Sequence, residues 1–377
     1  MTGPGGAGTS TLACAAALRA ARAGRRTLLL TRQVPQVDDL GTVTGLDVRV
    51  VDEQQAVERL WATAAGPVAA ALPQLTLPPS SSVVPLPGSA EVAVFAELAR
   101  ADADLVVVDA GPVDAATRLV GLPAALRWWL EQVMPPGMRA LAAVRTAAVA
   151  SGTVRRGPVD AALAAVPAVE GLLAADRMAD PTATSVCVVA LARRSSVPVL
   201  RTAATALGLH GLRTDAVLVR VFPLDGAGEW ATARGTEQDA VLGELAGIAP
   251  VHQVPEVATM PSDVAGIAAL LDGFEPPIPS SPAPPAAERR AGAWQLTVPL
   301  PFAERSAVEL TRWQDDLVLT AAGTRRSLRL DSLLRRCEVT GGRLADPGTA
   351  AARLVVGFRP DPQLWPADLL AAEGRTP

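Results

Sequence analysis

The chain has 377 residues, a hydrophobic fraction of 49% and a formal net charge of −4, enough length for two or three domains and enough apolar content for a sizeable core. Mild acidity argues against a general nucleic-acid partner, and the apolar residues fall in short amphipathic runs, none long enough to span a bilayer, so no integral membrane protein is expected. Three scattered cysteines and two histidines form neither a C-x-x-C pair nor a zinc spacing, so buried thiols in a reducing cytoplasm and no zinc site are expected. The chain contains no Lys, Asn or Tyr, and all 34 basic residues are Arg. That bias points to a very GC-rich genome, as in actinobacteria.

The chain opens on Met1-Thr-Gly-Pro-Gly-Gly-Ala-Gly-Thr-Ser-Thr11. Gly3, Gly5, Gly6 and Gly8, with Ala7 between them, predict a turn whose N–H groups point inward. Thr9, Ser10 and Thr11 then open an apolar helix, Leu12 to Arg22, whose N-terminus adds the positive end of its dipole. Together these make a phosphate cradle. The pattern G-x-x-x-x-G-K-[ST], however, needs a lysine where Thr9 stands. Codon bias converts Lys to Arg, and Thr9 is not Arg. Such a loop follows a buried strand, whereas only Met1 and Thr2 precede Gly3; the expectation is that the start lies too far downstream and a first strand has been lost.

Arg26 to Thr31 and Asp47 to Val51 read as strands, followed by helix-like segments to Arg100. Ala103 to Pro112 is an apolar strand that ends in Asp109 and passes into Gly-Pro, the form of a strand that carries a carboxylate to bound phosphates and Mg²⁺. Ala115 to Met178 reads as helices broken at Pro123, Pro135-Pro136, Gly152 and Pro158. Its apolar cluster of Trp128, Trp129, Val133 and Met134 is a candidate surface for a hydrophobic client, with simple core packing as the bland reading. Strands at 185–192, 214–222 and 251–254 alternate with helices at 197–209 and near 238–248, the pattern of an open α/β sheet. Phe274 to Gly292 is rich in Pro, Ser and Ala and reads as an extended linker. Beyond it, short alternating runs at Trp294–Pro301, 307–310, 316–321, 325–330 and 354–358, separated by Ala-Gly-Thr and Gly-Gly turn signals, predict a small β-sandwich.

These motifs resemble one family. The loop Pro4-Gly5-Gly6-Ala7-Gly8-Thr9-Ser10-Thr11 aligns with Lys-Gly-Gly-x-Gly-Lys-Thr-Thr of the ArsA-type (arsenite-pump and guided-entry) P-loop ATPases. Asp109-Ala-Gly-Pro, running through a Leu-rich turn to Leu122-Pro123, is similar to their switch II. Val219 to Pro255 follows their later pattern, and Trp294 to Phe358 resembles the α-crystallin, or small heat-shock, domain appended to some bacterial members. The resemblance implies a P-loop NTPase-like, mostly parallel sheet with helices on both faces and a helical subdomain, followed by a small all-β α-crystallin-like sandwich. It divides the chain into residues 1–273 (helical insertions about 52–100 and 115–182), a linker at 274–292, the sandwich at 293–360 and a tail at 361–377.

The resemblance also implies a nucleotide site at Gly3, Gly5, Gly6, Ala7, Gly8, Thr9, Ser10, Thr11 and Arg220, with Ser10 and Asp109 as Mg²⁺ ligands and Asp109 as the catalytic carboxylate. ATP or ADP with Mg²⁺ is the implied cofactor, and a dimer the implied assembly. The departures are as informative. The family's two loop lysines are Pro4 and Thr9. Its switch I Thr-Asp-Pro is replaced by Thr31-Arg-Gln-Val-Pro35, with Asp38 and Asp39 as displaced substitutes, and its adenine-reading Asn-Arg pair by Val219-Arg220. Phosphoryl transfer depends on positioning and charge. The expectation is therefore a pseudo-ATPase with weak nucleotide binding, serving as a client- or partner-binding scaffold, either a homodimer or paired with an ATPase-competent paralogue. Arg32 and Arg118 are the candidates for charge supplied in cis; the alternative is a working Mg-ATP-hydrolysing ATPase for protein targeting or anion transport.

Overall fold

A computed structural model describes residues 1–71, 74, 76–154, 158–178, 180, 182–224, 228–279, 285, 287–290 and 293–365. The apolar runs form six strands: β1 (Thr27–Thr31), β2 (Leu46–Val50), β3 (Leu105–Val108), β4 (Val186–Leu191), β5 (Thr214–Val221) and β6 (Val251–Pro255). They pair in parallel in the orders β2-β1-β3 and β4-β5-β6. β1 is buried along its whole length, as its uninterrupted apolar sequence requires of a parallel strand covered on both faces.

Residues 1–3 join the two halves. Thr2 bridges Val188 and Gly3 bridges Pro112, both in parallel. Val189 N donates to Thr2 O at 2.7 Å and Ala110 N to Met1 O at 3.0 Å. The Met1 ammonium donates to Val108 O at 2.7 Å, and its burial lowers its pKa despite the nearby Cys187 and Asp109. Residues 1–3 therefore lie between β3 and β4 at the loop end of the sheet. The whole sheet then reads β2-β1-β3-(1–3)-β4-β5-β6.

The helices are α1 (Thr9–Arg22), α2 (Glu53–Ala71), α3 (Ser89–Ala99), α4 (Val113–Val133), α5 (Pro136–Ala150), α6 (Pro158–Ala174), α7 (Ser196–Leu209), α8 (Glu229–Ala246) and α9 (Val264–Ala269). Successive strand residues face opposite sides, so Leu29, Val189 and Leu218 pack under α1 and α9. Leu30 packs with α3, α4 and α6, and Val188, Val217 and Val219 pack with α7 and α8. The break expected at Pro123 does not occur: α4 runs through it with the ring buried. A helix-interior proline costs about 3 kcal/mol against alanine, and here the packing of α4 on the sheet overrides that cost.

The C-terminal strands are β7 (Ala287–Arg290), β8 (Ala293–Pro299), β9 (Glu309–Trp313), β10 (Asp316–Ala321), β11 (Thr324–Arg329), β12 (Cys337–Ala345) and β13 (Arg353–Pro360). They form two antiparallel sheets, β11-β10-β9 and β12-β13-β8-β7, around Leu296, Val298, Leu317, Leu319, Val356 and Phe358. Two strands differ from expectation. β7 lies in the stretch read as linker; its Glu288, Arg289 and Arg290 are exposed on a sheet edge, so no apolar alternation marks it. β12 runs straight through Gly341-Gly342, which read as a turn. The strand is bulged there, Gly341 has φ 150°, and a Cβ on Gly342 would come within 2.9 Å of Leu310 Cδ2. The glycines permit a bulge and a close sheet contact.

The sandwich rests on α4 and α7. Thr205 Oγ1 donates to Pro301 O at 2.5 Å, Arg326 Nη1 to Leu209 O at 2.7 Å and Arg329 Nη1 to Glu131 Oε2 at 3.1 Å. Leu209 itself belongs to the sandwich core.

Candidate functional site

The expected loop lies at the carboxyl edge of the sheet, where α/β folds gather ligands. Gly6 and Gly8 take φ 79° and 88°, the left-handed region that a side chain resists, and Ala7 N closes the turn on Pro4 O at 3.1 Å. A Cβ on Gly5 or Gly6 would meet nothing within 4 Å, whereas one on Gly3 would lie 2.2 Å from Val189 O. The loop is thus rooted tightly in the sheet and open on its outer side, as a phosphate cradle must be. Gly8 is the residue before α1 and has no side chain to cap it, so the first N–H groups of the helix are left for a ligand. Ala7 is 1% exposed and Thr9 8%, so Thr9 turns into the protein.

Asp109 stands at the end of β3 and is 5% exposed. Its Oδ2 accepts from Thr31 Oγ1 at 3.0 Å and its Oδ1 from Gly111 N at 3.2 Å. The carboxylate ties the end of β1 to the switch turn. Gly111 has φ 69°, its carbonyl accepts from Thr2 Oγ1 at 2.8 Å, and the next residue bridges Gly3. Loop, switch turn and the end of β1 therefore form one hydrogen-bonded unit.

Arg220, at the end of β5, is brought to the loop. Its Nη1 lies 3.5 Å from Ala7 O and 3.0 Å from where a Cβ on Gly8 would be, and the guanidinium is ion-paired with Glu256. It borders a cavity of about 250 Å³ lined also by Gly8, Thr11, Leu12, Val254, Val257 and Met260. The sequence reading found Arg220 and missed the other wall, residues 254–260. Their signal was the proline-punctuated stretch at the end of β6 and just after it, in which Glu256, the partner of Arg220, is the one charged residue.

Other expected residues are dispersed. Asp38 N donates to Ser262 O at 2.7 Å, which holds the Asp38-Asp39 segment against the turn before α9. Arg118 is committed to Glu91 at 2.9 Å and Asp114 at 2.9 Å. The apolar cluster of α4 is split. Met134, at the C-terminal cap of α4, is buried, as core packing has it. Trp128 lines the cleft beside Arg326 and Leu328 of the sandwich. Trp129 and Val133, one turn apart on α4, are 60% and 65% exposed, and α5 exposes Met138, Leu141 and Val144. Cys14 and Cys187 are buried, which pushes both thiols up to about 11 and makes them poor nucleophiles and ligands.

The nucleotide and its metal fare differently against these residues. An open glycine cradle, a helix N-terminus and an adjoining cavity fit a nucleotide. Mg²⁺ needs octahedral oxygen ligands, usually one or two carboxylates plus phosphate. Of the expected pair, Ser10 offers a hydroxyl, the usual P-loop ligand, while buried Asp109 already accepts from Thr31 and Gly111, so its carboxylate must share those bonds to hold a metal.

A parallel sheet with a glycine loop leading into its first helix and an aspartate at a neighbouring strand end defines a P-loop nucleotide-binding domain, here followed by a β-sandwich. Residues 1–274 match the family described as Anion-transporting ATPase, the ArsA ATPases, and residues 291–348 match the HSP20-like domain found in ArsA. The chain belongs to the ArsA ATPase family. Among its relatives, the uncharacterized protein SCO2128 of Streptomyces coelicolor is 34% identical over 404 aligned residues, covering 97% of this chain and 98% of that protein. Protein Rv2184c of Mycobacterium tuberculosis is 28% identical, covering 97% and 96%. Among the described residues no helix is long and apolar enough to cross a membrane.

Proposed function

We propose that this chain is a nucleotide-binding member of the ArsA family that hydrolyses ATP slowly or not at all and serves as a dimeric scaffold for a protein client or an ATPase-competent paralogue. The observation that carries this reading is the pairing of an intact backbone cradle with a missing catalytic set. The loop is open at Gly5 and Gly6, Thr9 is buried where the family has a cation, and Asp38 is held against Ser262. Gly3, Gly5, Gly6, Ala7, Gly8, Thr9, Ser10 and Thr11 enclose the phosphates and Arg220 flanks the nucleoside side. Without the loop lysine and without a carboxylate to position the attacking water, phosphoryl transfer lacks groups on which its positioning depends. A single cation aimed at the developing charge is worth roughly 10³–10⁵ in rate.

Exposed Trp129 and Val133 on α4 and Met138, Leu141 and Val144 on α5 support the scaffold part, because exposed apolar residues concentrated on neighbouring elements mark interaction sites. The test is ATP turnover alongside equilibrium ATP binding on the same full-length protein. Binding without turnover above the uncatalysed rate supports the reading. Mg²⁺-dependent turnover that disappears in Asp109→Ala overturns it in favour of a working ATPase.

A further inference from the structure

We propose that Arg32 is the resident cation for the terminal phosphate of a nucleoside triphosphate held at the glycine loop, so that binding at this site does not need Mg²⁺. This rests on the nucleotide reading above and concerns how the same site is charged.

Arg32, Arg118 and Arg220 are the candidates for charge at the loop, and among the described residues Arg32 alone of these three has no bonded partner. Arg118 is held by Glu91 and Asp114, each at 2.9 Å. Arg220 is paired with Glu256 and lies on the cavity side of Gly8. Among the described residues Arg32 has neither a hydrogen bond nor an ion pair. Its Nη2 lies 3.1 Å from where a Cβ on Gly111 would be, so the guanidinium rests on the switch turn. That turn is bonded to Thr2 and bridged to Gly3 at the root of the loop through Pro112.

Arg32 shares a small recess with two carboxylates, Glu91 and Asp109. Neither is bonded to it. Glu91 is taken by Arg118, and Asp109 by the Thr31 hydroxyl and the Gly111 amide. Arg32 therefore brings a permanent charge with unspent donors to the edge of a loop that has none of its own. It follows directly on buried β1, which fixes its backbone, and its planar fork suits two phosphate oxygens at once.

Position sets which phosphate it meets. The loop amides surround the inner phosphates at the start of α1. Arg220 borders Gly8 and its cavity, which leaves Arg32, on the switch turn after Asp109, for the terminal phosphate. A guanidinium there also repels a divalent cation at the same spot. The charge that Mg²⁺ would supply is covalently attached.

The experiment is calorimetric titration of ATP, ADP and inorganic triphosphate into the full chain, once with Mg²⁺ and once with EDTA. Wild type is expected to bind ATP with the same affinity in both. Arg32→Ala is expected to lose about tenfold or more for ATP, the size of a charge-assisted hydrogen-bond loss, with ADP little changed and Arg32→Lys recovering most of it. Thermal melts of each variant guard against misfolding. ATP binding that needs Mg²⁺, or that ignores Arg32→Ala, overturns the inference and leaves the nucleotide reading standing. Inorganic triphosphate binding as tightly as ATP overturns the nucleoside part. No ATP binding in either buffer overturns the nucleotide reading and this inference with it.

Discussion

Gly208 illustrates how a residue's meaning is set by what it touches. In an exposed helix interior, Gly→Ala stabilises by about 1 kcal/mol. Gly208 lies in α7, where an added Cβ would sit 2.6 Å from Pro301 Cδ and 3.1 Å from Pro299 O. A proline ring and a backbone carbonyl cannot swing aside, so the sandwich must shift away from α7. Gly208→Ala is expected to destabilise by about 1–3 kcal/mol, the range for overpacking, read as a lowered urea midpoint. A midpoint unchanged or raised would mean that the sandwich is not seated on this glycine. The same logic applies to Thr31→Val, which strips one of two protein donors from buried Asp109 and is expected to cost about 1–3 kcal/mol, again read from urea unfolding. None of this was legible in the sequence, where Gly208 is one glycine among 31 and Thr31 was noticed only as a fragment of switch I.

At the scale of elements, the strands were legible wherever both faces are buried. β1 and β4 are largely apolar runs, and β5 carries one at Ala216–Val219; composition reveals such strands directly. Legibility failed where the backbone rather than the side chains decides. Residues 1–3 pair through main-chain bonds on both sides, the exposed edge strand β7 has no alternation, and the β12 bulge hides behind two glycines. Of the site, the loop and Asp109 were legible as glycine spacing and a strand-end carboxylate. That Asp109 is bonded to Thr31 and Arg118 to Glu91 was not, because those partners are tens of residues distant in sequence. The junction of α7, α4 and β11 is another product of distance. His210 follows α7, is 8% exposed, has its Nε2 3.4 Å from Thr324 Oγ1 of β11, and has its ring edge 3.0 Å from a Cβ position on Gly121 of α4.

Burial, with the Arg326 charge of β11 adding to it, pulls the His210 pKa down to about 4. The unfolded chain protonates this imidazole near its ordinary value of about 6.5, so between these two values the unfolded state binds more protons than the folded one. The stability contribution is complete above the upper value and is lost as pH falls toward the lower, by about 3 kcal/mol at most. Urea midpoints measured from about pH 7 down to about pH 5 are expected to fall in the wild type and to fall less steeply in His210→Gln. Parallel curves for the two proteins would show that His210 does not report on this junction.

At the scale of the whole molecule, the two layers share material. Leu209, the last residue of α7, is fully buried in the core of the sandwich. Arg329 of β11 reaches Glu131 of α4 at 3.1 Å while also lying 3.5 Å from Asp316, and burial raises the pKa of Asp316 against that pairing. A surface ion pair contributes little, about 0–1 kcal/mol, but a buried leucine truncated to alanine costs about 2–5 kcal/mol. Leu209→Ala removes that from the contact between layers rather than from either core alone. Interfaces between domains of one chain are usually polar and loosely coupled; this one carries a buried leucine and a hydroxyl bonded to Pro301 O at 2.5 Å. Differential scanning calorimetry of the wild type is therefore expected to show one transition whose calorimetric and van't Hoff enthalpies agree, the signature of two-state unfolding. Leu209→Ala is expected to split it, the sandwich melting first and the α/β layer later. Two transitions already present in the wild type would mean that the sandwich is carried by the sheet domain rather than built into it.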